Sequence, residues 1–347
     1  MTEQIITKVT GNLGHITLNR PKALNALTTE MCKAITEILL EWEKDDAIGA
    51  VLVDGAGDRA FCAGGDVIML HDSGKKDGKD AEEFWRIEYA LNELIHMYTK
   101  PYISLIDGIV MGGGVGLSVH GRHRIAGDHT LFAMPETGIG YFPDVGGTYF
   151  LPRLGKAIGN WLGLTGARLK TAQACALGVA TGYVPTNAHK DVITALGKAD
   201  LDGGDGAVLD VLSAFVKAPP AADPLPEAIT LFDGDSVFEI QNALSQSADG
   251  WAQKQLAFLQ SKSPLALCGT LEALKRGADL DFRSVMRMEL DLSLNFLKTQ
   301  DFYEGIRAQL IDKDRNPKWS ADDVSSVSES QINRLFRAAK PPLEFLN

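Results

Sequence analysis

Cysteine is scarce in these 347 residues, and Cys32, Cys62, Cys175 and Cys268 form neither a CxxC pair nor a cluster. That excludes a disulfide framework and the usual structural zinc arrangements, leaving free, mostly buried thiols as the expectation. Cys62 lies inside a glycine loop, but no histidine is near it in sequence, so small-residue filler is favoured over a nucleophile. Long apolar runs are missing too; none reaches membrane-spanning length. No cationic-then-apolar leader stands at the start, and together with the unpaired cysteines this gives a cytoplasmic expectation. Cations are outnumbered, with 34 Lys and Arg against 45 Asp and Glu. Nothing in that balance offsets phosphate repulsion, so general nucleic-acid binding is excluded, whereas an anionic small molecule held by a few local cations is not. His120 and His123 are spaced as two metal ligands are, yet no third ligand is near them; no metal is expected.

What is present suffices for a substantial core, since 45% of the residues are hydrophobic over a length that suits one large domain or two moderate ones. Residues 5–9 and 15–18 are β-rich runs around Gly11-Asn12 and read as a hairpin. Residues 28–43 open with a Thr cap and carry Met31, Ile35, Ile38, Leu39 and Trp42 at helical spacing. Residues 80–98 return to that spacing through Trp85, Leu91, Leu94 and Ile95. Residues 50–53, 101–106, 124–126 and 130–133 read as strands, and strand, crossover, strand in repetition predicts a sheet with many parallel neighbours. From about residue 155 the pattern turns helical. Gly203-Gly204-Asp205-Gly206, Pro219-Pro220, Pro224 and Pro226 mark 201–235 as loops and a hinge. Caps at Ser284 and Ser328 start helices further on. The division is therefore a core over 1–200, an irregular linker over 201–235 and a C-terminal helical region over 236–347 that completes the fold.

Two glycine-rich loops each follow a strand and precede a helical stretch. They read Phe61-Cys62-Ala63-Gly64-Gly65-Asp66 and Met111-Gly112-Gly113-Gly114-Val115-Gly116. Such loops let the backbone approach a ligand and leave N–H groups pointing at it, so one donor from each can form an oxyanion hole. A dinucleotide fingerprint does not fit the register, and no GKS or GKT follows. Downstream, Glu136 and Asp144 each follow a proline, among Phe132, Met134, Ile139, Tyr141 and Phe142. Apolar surroundings disfavour the charged form of a carboxyl group, and a pair so placed supplies a base, an acid or a nucleophile. Either one alone is better explained as a cap of a turn or helix; the two glycine loops upstream are what favour chemistry. Asp66 reads as a cap, and Glu304 with Arg307 as a structural pair.

These motifs, in order, resemble the crotonase (enoyl-CoA hydratase/isomerase) superfamily. The resemblance begins at Asn19-Arg20-Pro21-Lys22-Ala23-Leu24-Asn25-Ala26-Leu27, continues through both glycine loops, and ends in the segment from Pro135-Glu136-Thr137 to Gly146-Gly147. It implies an α/β fold, the ββα superhelix, usually assembled as a homo-oligomer. It further implies that the N–H groups of Gly65 and Gly113 hold the carbonyl oxygen of an acyl-CoA thioester. Lys22, Ala23, Leu24 and Ala63 would line the CoA path, and Glu88 would contact the hydroxyacyl end. Hydratases of this family carry a glutamate where this chain has Gly116, keep one at Glu136, and have a glycine where Asp144 stands. One carboxylate is lost and one gained. The pattern thus resembles the thioester-hydrolysing branch and implies hydrolysis of 3-hydroxyisobutyryl-CoA, or a similar short 3-hydroxyacyl-CoA, to the free acid and CoA in valine catabolism. The alternative is an enoyl-CoA isomerase or hydratase using Glu136. No cofactor is expected beyond the CoA of the substrate, and Glu136 serves either as nucleophile or as general base.

Overall fold

The computed structural model describes residues 2–346; Met1 and Asn347, the outer ends of the first and last divisions above, lie outside them. Ten strands among the described residues are β1 (Ile5–Thr10), β2 (Leu13–Leu18), β3 (Ala50–Gly55), β4 (Ala60–Cys62), β5 (Tyr102–Ile106), β6 (Ile109–Met111), β7 (His123–Ala126), β8 (Leu131–Ala133), β9 (Leu169–Lys170) and β10 (Gly182–Tyr183). They make a larger sheet in the order β1-β2-β3-β5-β7-β10 and a smaller one in the order β4-β6-β8-β9. The predicted hairpin is there: β1 and β2 pair antiparallel, with Thr10 opposite Leu13. Every other pairing in the larger sheet is parallel, as the alternation of strands and helices predicts.

The winding is regular. Three times the chain lays a strand in the larger sheet, crosses within a few residues to a strand of the smaller one, and returns through helix or loop: β3 to β4, β5 to β6, β7 to β8. Parallel neighbours require such crossovers, because a tight turn joins only antiparallel strands. The consequence for function is positional. β4, β6 and β8 run parallel and adjacent, so the segments leaving their C-terminal ends emerge side by side. Those segments are the two glycine loops and the stretch that carries Glu136. Carboxyl ends of parallel strands are where open α/β sheets place ligands.

Helix Thr29–Lys44 forms where the 3.6-residue spacing puts it, with Thr28 Oγ1 accepting from Met31 N–H, and it buries Met31, Ile35, Ile38, Leu39 and Trp42. Helix Lys79–Met97 buries Trp85, Tyr89, Leu91 and Ile95, but also Glu88, Asn92 and Glu93. Three buried polar groups on one helix need partners or a purpose. The C-terminal region folds back over the core: helix Phe282–Phe296 packs on Lys79–Met97, and helix Gln300–Ile306 packs on the turn Glu136–Ile139. Ser328 caps its helix with a full capping box to Gln331. At the other predicted start the cap is Asp281, not Ser284, because Ser284 N–H is itself the donor that Asp281 satisfies. The stretch 201–235 holds a helix, Asp205–Ser213, and a 3-10 helix, Glu227–Asp233, with the prolines between them. No helix of the described residues is long and apolar enough to cross a membrane.

Candidate active site

A cavity of about 480 Å³ opens where the three segments meet, and its wall includes Ala63, Gly65, Gly113, Glu88, Glu136 and Asp144. Gly113 is the first residue of the short helix Gly113–Gly116. No acceptor among the described residues takes the N–H of Gly65 or of Gly113. Gly113 leaves little room for a side chain, and Gly112 holds φ 46°. A carbon added at Gly113 would stand 2.6 Å from Glu88 Oε1, and one at Gly112 would stand 3.4 Å from Glu136 Oε1. Two carboxyl groups therefore lie against the loop that offers the free donors.

Glu136 is delivered by the end of β8 into the 3-10 turn Glu136–Ile139, which Gly140 closes in the left-handed region. It is buried, and its Oε2 has no hydrogen-bond partner. Burial, and then the nearby Asp144 charge, push its pKa well above the usual carboxylate range, with Lys262 opposing. Glu88 is only 2% exposed, so it is no solvated surface charge. Its Oε1 is likewise unpartnered, and burial followed by Asp144 and Glu289 raises its pKa strongly. Asp144 is different. Burial pushes it up only to about 6, because hydroxyl donors from Tyr89 and Tyr141 stabilise the charged form. Tyr89 donates to Oδ2 at 2.7 Å, and the Tyr141 hydroxyl lies 3.3 Å from the same oxygen but only 2.6 Å from Ser293 Oγ. Of the three carboxyl groups on the wall, Asp144 is thus the one whose charged form hydroxyl donors support.

The turn that presents Asp144 is strained and heavily anchored. Val145, a β-branched residue, has φ 52°, a conformation such side chains rarely hold without outside support. His120 Nε2–H donates to its carbonyl at 2.7 Å, and burial keeps that imidazole neutral, with a pKa near 3. Behind the turn, Glu289 of helix Phe282–Phe296 accepts from Gly146 N–H at 2.7 Å, Thr148 N–H at 3.0 Å and Thr148 Oγ1 at 2.6 Å. Burial raises Glu289 to about 8. Position 116 is closed by the same packing: a carbon added at Gly116 would lie 2.7 Å from Asn92 Nδ2 and 2.8 Å from Val145 Cβ. A second glutamate does not fit there.

Tyr89, Ser293, Glu289 and Asn92 carried no sequence signal, and Tyr141 figured only as an apolar neighbour. Of the other expected residues, Ala63 lies on the cavity wall, whereas Lys22, Ala23 and Leu24 form a 3-10 turn and its cap outside it. Ala63 N–H to Leu24 O, 3.0 Å, ties that turn to the first glycine loop. Asp66 caps helix Val67–Gly74 by accepting from Met69 N–H. Cys62 is buried and its thiol is pushed up to about 12, so it is no thiolate. His123 pairs with Asp205, and Glu304 with Arg307, which also reaches Asp312 and Asp314.

The fold and these loops define a class, and the chain belongs to it: residues 13–336 match the enoyl-CoA hydratase/isomerase family. Among its relatives within that family, the mitochondrial 3-hydroxyisobutyryl-CoA hydrolase of Danio rerio is 43% identical, over 96% of this chain and 89% of that protein. The protein of the same name from Xenopus laevis is 44% identical over 96% and 88%. A solved structure described as a carnitinyl-CoA dehydratase from Mycobacterium thermoresistibile superimposes with a TM-score of 0.92 at 42% identity, covering 99% of both chains. An enoyl-CoA hydratase from Rhodobacter sphaeroides gives 0.87 at 38%, covering 99% of this chain and 100% of that one. The relatives' names place them in mitochondria, which overturns the cytoplasmic expectation. That expectation rested on a leader not seen in the sequence, and a missing segment is no address.

Proposed function

We propose that this chain hydrolyses the thioester of 3-hydroxyisobutyryl-CoA, or of a similar short 3-hydroxyacyl-CoA, releasing the hydroxy acid and CoA in valine catabolism. The observation that carries the reading is the exchange of carboxylates: Asp144 stands on the cavity wall, its charged form bonded by Tyr89, while position 116 is closed by Asn92 and Val145. Hydration of a C=C bond by two flanking glutamates needs the carboxylate that this packing shuts out. Hydrolysis needs a base, an acid and an oxyanion site, and each has a candidate. The Asp144 carboxylate takes a proton from water as the water oxygen bonds to the thioester carbon. The Gly65 and Gly113 N–H groups receive the charge that develops on the carbonyl oxygen. Glu136, whose protonated form burial favours, gives its proton to the sulfur as the C–S bond breaks. Glu88 faces the acyl end and accepts from or donates to the 3-hydroxyl.

A second reading has an observation in its favour, namely the likeness to a structure described as a carnitinyl-CoA dehydratase. Thiol trapping separates the two. With 3-hydroxyisobutyryl-CoA, 3-hydroxypropionyl-CoA, crotonyl-CoA and carnitinyl-CoA as substrates, free CoA is expected from the first two esters alone. Absence of CoA release from every hydroxyacyl ester, or a gain or loss of enoyl absorbance without it, would overturn the hydrolytic reading. In a single turnover in H₂¹⁸O, label appearing in Glu136 shows that the enzyme is acylated there before water attacks.

A further inference from the structure

Tyr89 touches Asp144 but is absent from the cavity wall, and it is fully buried. Its hydroxyl lies 2.7 Å from Ser293 Oγ, which comes from a helix some two hundred residues away in sequence. Tyr141 hydroxyl lies 2.6 Å from the same Ser293 oxygen. Tyr89 uses its proton on Asp144 Oδ2 and Tyr141 uses its proton on Ser293, so the single Ser293 proton faces both the Tyr89 oxygen and the Glu289 carbonyl, each at 2.7 Å. The Ser293 oxygen thereby sets the positions of both phenols beside the carboxylate.

We propose that Tyr89 and Ser293, linked through Tyr141, are positioning residues that lock the Asp144 carboxyl in one rotamer and in its ionised form, so that the C-terminal helix Phe282–Phe296 is part of the active site. The inference rests on the hydrolytic reading only for its kinetic consequence. The surroundings explain why such a device is needed. Glu88 faces Asp144 from helix Lys79–Met97, Glu136 from the preceding turn, and Glu289 from helix Phe282–Phe296. His120, neutral, reaches only the Val145 carbonyl. Lys262 and Arg168 line the same cavity, but Lys262 acts on Glu136 and neither bonds to Asp144. Hydroxyl donors stabilise an anion without adding a positive charge that would also ionise Glu136.

The test uses the full chain carrying Tyr89→Phe or, separately, Ser293→Ala, with circular dichroism to establish folding. The Asp144 carboxyl is titrated by ¹³C NMR, with Asp144→Asn as the blank that assigns its signal. Tyr89→Phe is expected to raise the midpoint by about one pH unit, and Ser293→Ala to raise it by less in the same direction. For 3-hydroxyisobutyryl-CoA, kcat at pH 6 is expected to fall about fivefold in Tyr89→Phe with KM within about twofold, the acid limb moving with the NMR midpoint. A midpoint unmoved in both variants overturns the inference, and if Tyr89→Phe does not fold, Ser293→Ala decides. Should the wild-type chain cleave no hydroxyacyl-CoA, the proposed reaction falls while the titration still decides the positioning role.

Discussion

Replacing Asp144 by Asn should abolish hydrolysis and at the same time stabilise the protein. The substitution is isosteric, and the amide oxygen still accepts from Tyr89. What disappears is a buried negative charge whose pKa stands at about 6 rather than the usual 3.8. A carboxyl group with a raised pKa keeps its proton better in the folded state than in the unfolded one. Folded chains therefore bind more protons between pH 4 and 6, and stability falls as pH rises through that window. The penalty is complete above about pH 6 and amounts to about 3 kcal/mol, whereas at pH 4.5 it is about 1 kcal/mol. Urea melts of Asp144→Asn against wild type should show a gain of roughly 3 kcal/mol at pH 8 that shrinks to about a third at pH 4.5. The same variant should lose on the order of a thousandfold in kcat, since the base is gone. A variant no more stable than wild type at pH 8, or a gain that does not depend on pH, would refute the reasoning. An isomerase working through Glu136 alone would instead keep its activity.

Three further outcomes follow from the same geometry. Gly116→Glu should give no hydration of crotonyl-CoA and should cost about 1–3 kcal/mol in a chemical melt, because its first carbon already collides with Asn92 and Val145. Glu289→Ala leaves Gly146 N–H and Thr148 N–H buried without an acceptor, so a loss of about 2–5 kcal/mol is expected, with the acyl-CoA KM rising as the Asp144 turn loosens. In wild type, kcat/KM for 3-hydroxyisobutyryl-CoA should rise through an acid limb near pH 6, the value for Asp144, and a profile flat from pH 5 to 8 would remove Asp144 as the base.

The covering of the active site by the C-terminal region gives this chain a dependence that a minimal ββα core would lack. Ser293 and Glu289, one helical turn apart, reach Asp144 through the tyrosines and through the backbone of its turn. Phe302, Gln309 and Leu310 close the cavity from the same side. Stability and chemistry pull against each other here: clustered buried carboxyl groups raise one another's pKa and weaken the fold where they are ionised. The acid-poised site is the reason to expect the strongest stabilising substitutions at its most important residue.

Much of this was legible in the sequence. The hairpin at Gly11, helix Thr29–Lys44 with its Thr28 cap, and the strands at 50–53 and 101–106 follow from local periodicity, which is a property of neighbouring residues. The identity of the loops was legible for a similar reason, since glycine runs between a strand and a helix have few physical uses. Asp144 was legible as a residue but not as an ion. Its charge state depends on Tyr89, 55 positions away, and on Ser293, 149 away, and no local pattern distinguishes a tyrosine that donates to a carboxylate from one that fills a core. Glu88 was in the same position, a helical glutamate that only burial against Gly113 separates from a surface charge. The sequence by itself determined which carboxylates are present, which glutamate is missing at Gly116, and the order of strands and helices. Only the tertiary structure decided which carboxyl holds its proton, because a pKa is set by the dielectric and donors around a group in space, and those come from strands and helices far apart along the chain.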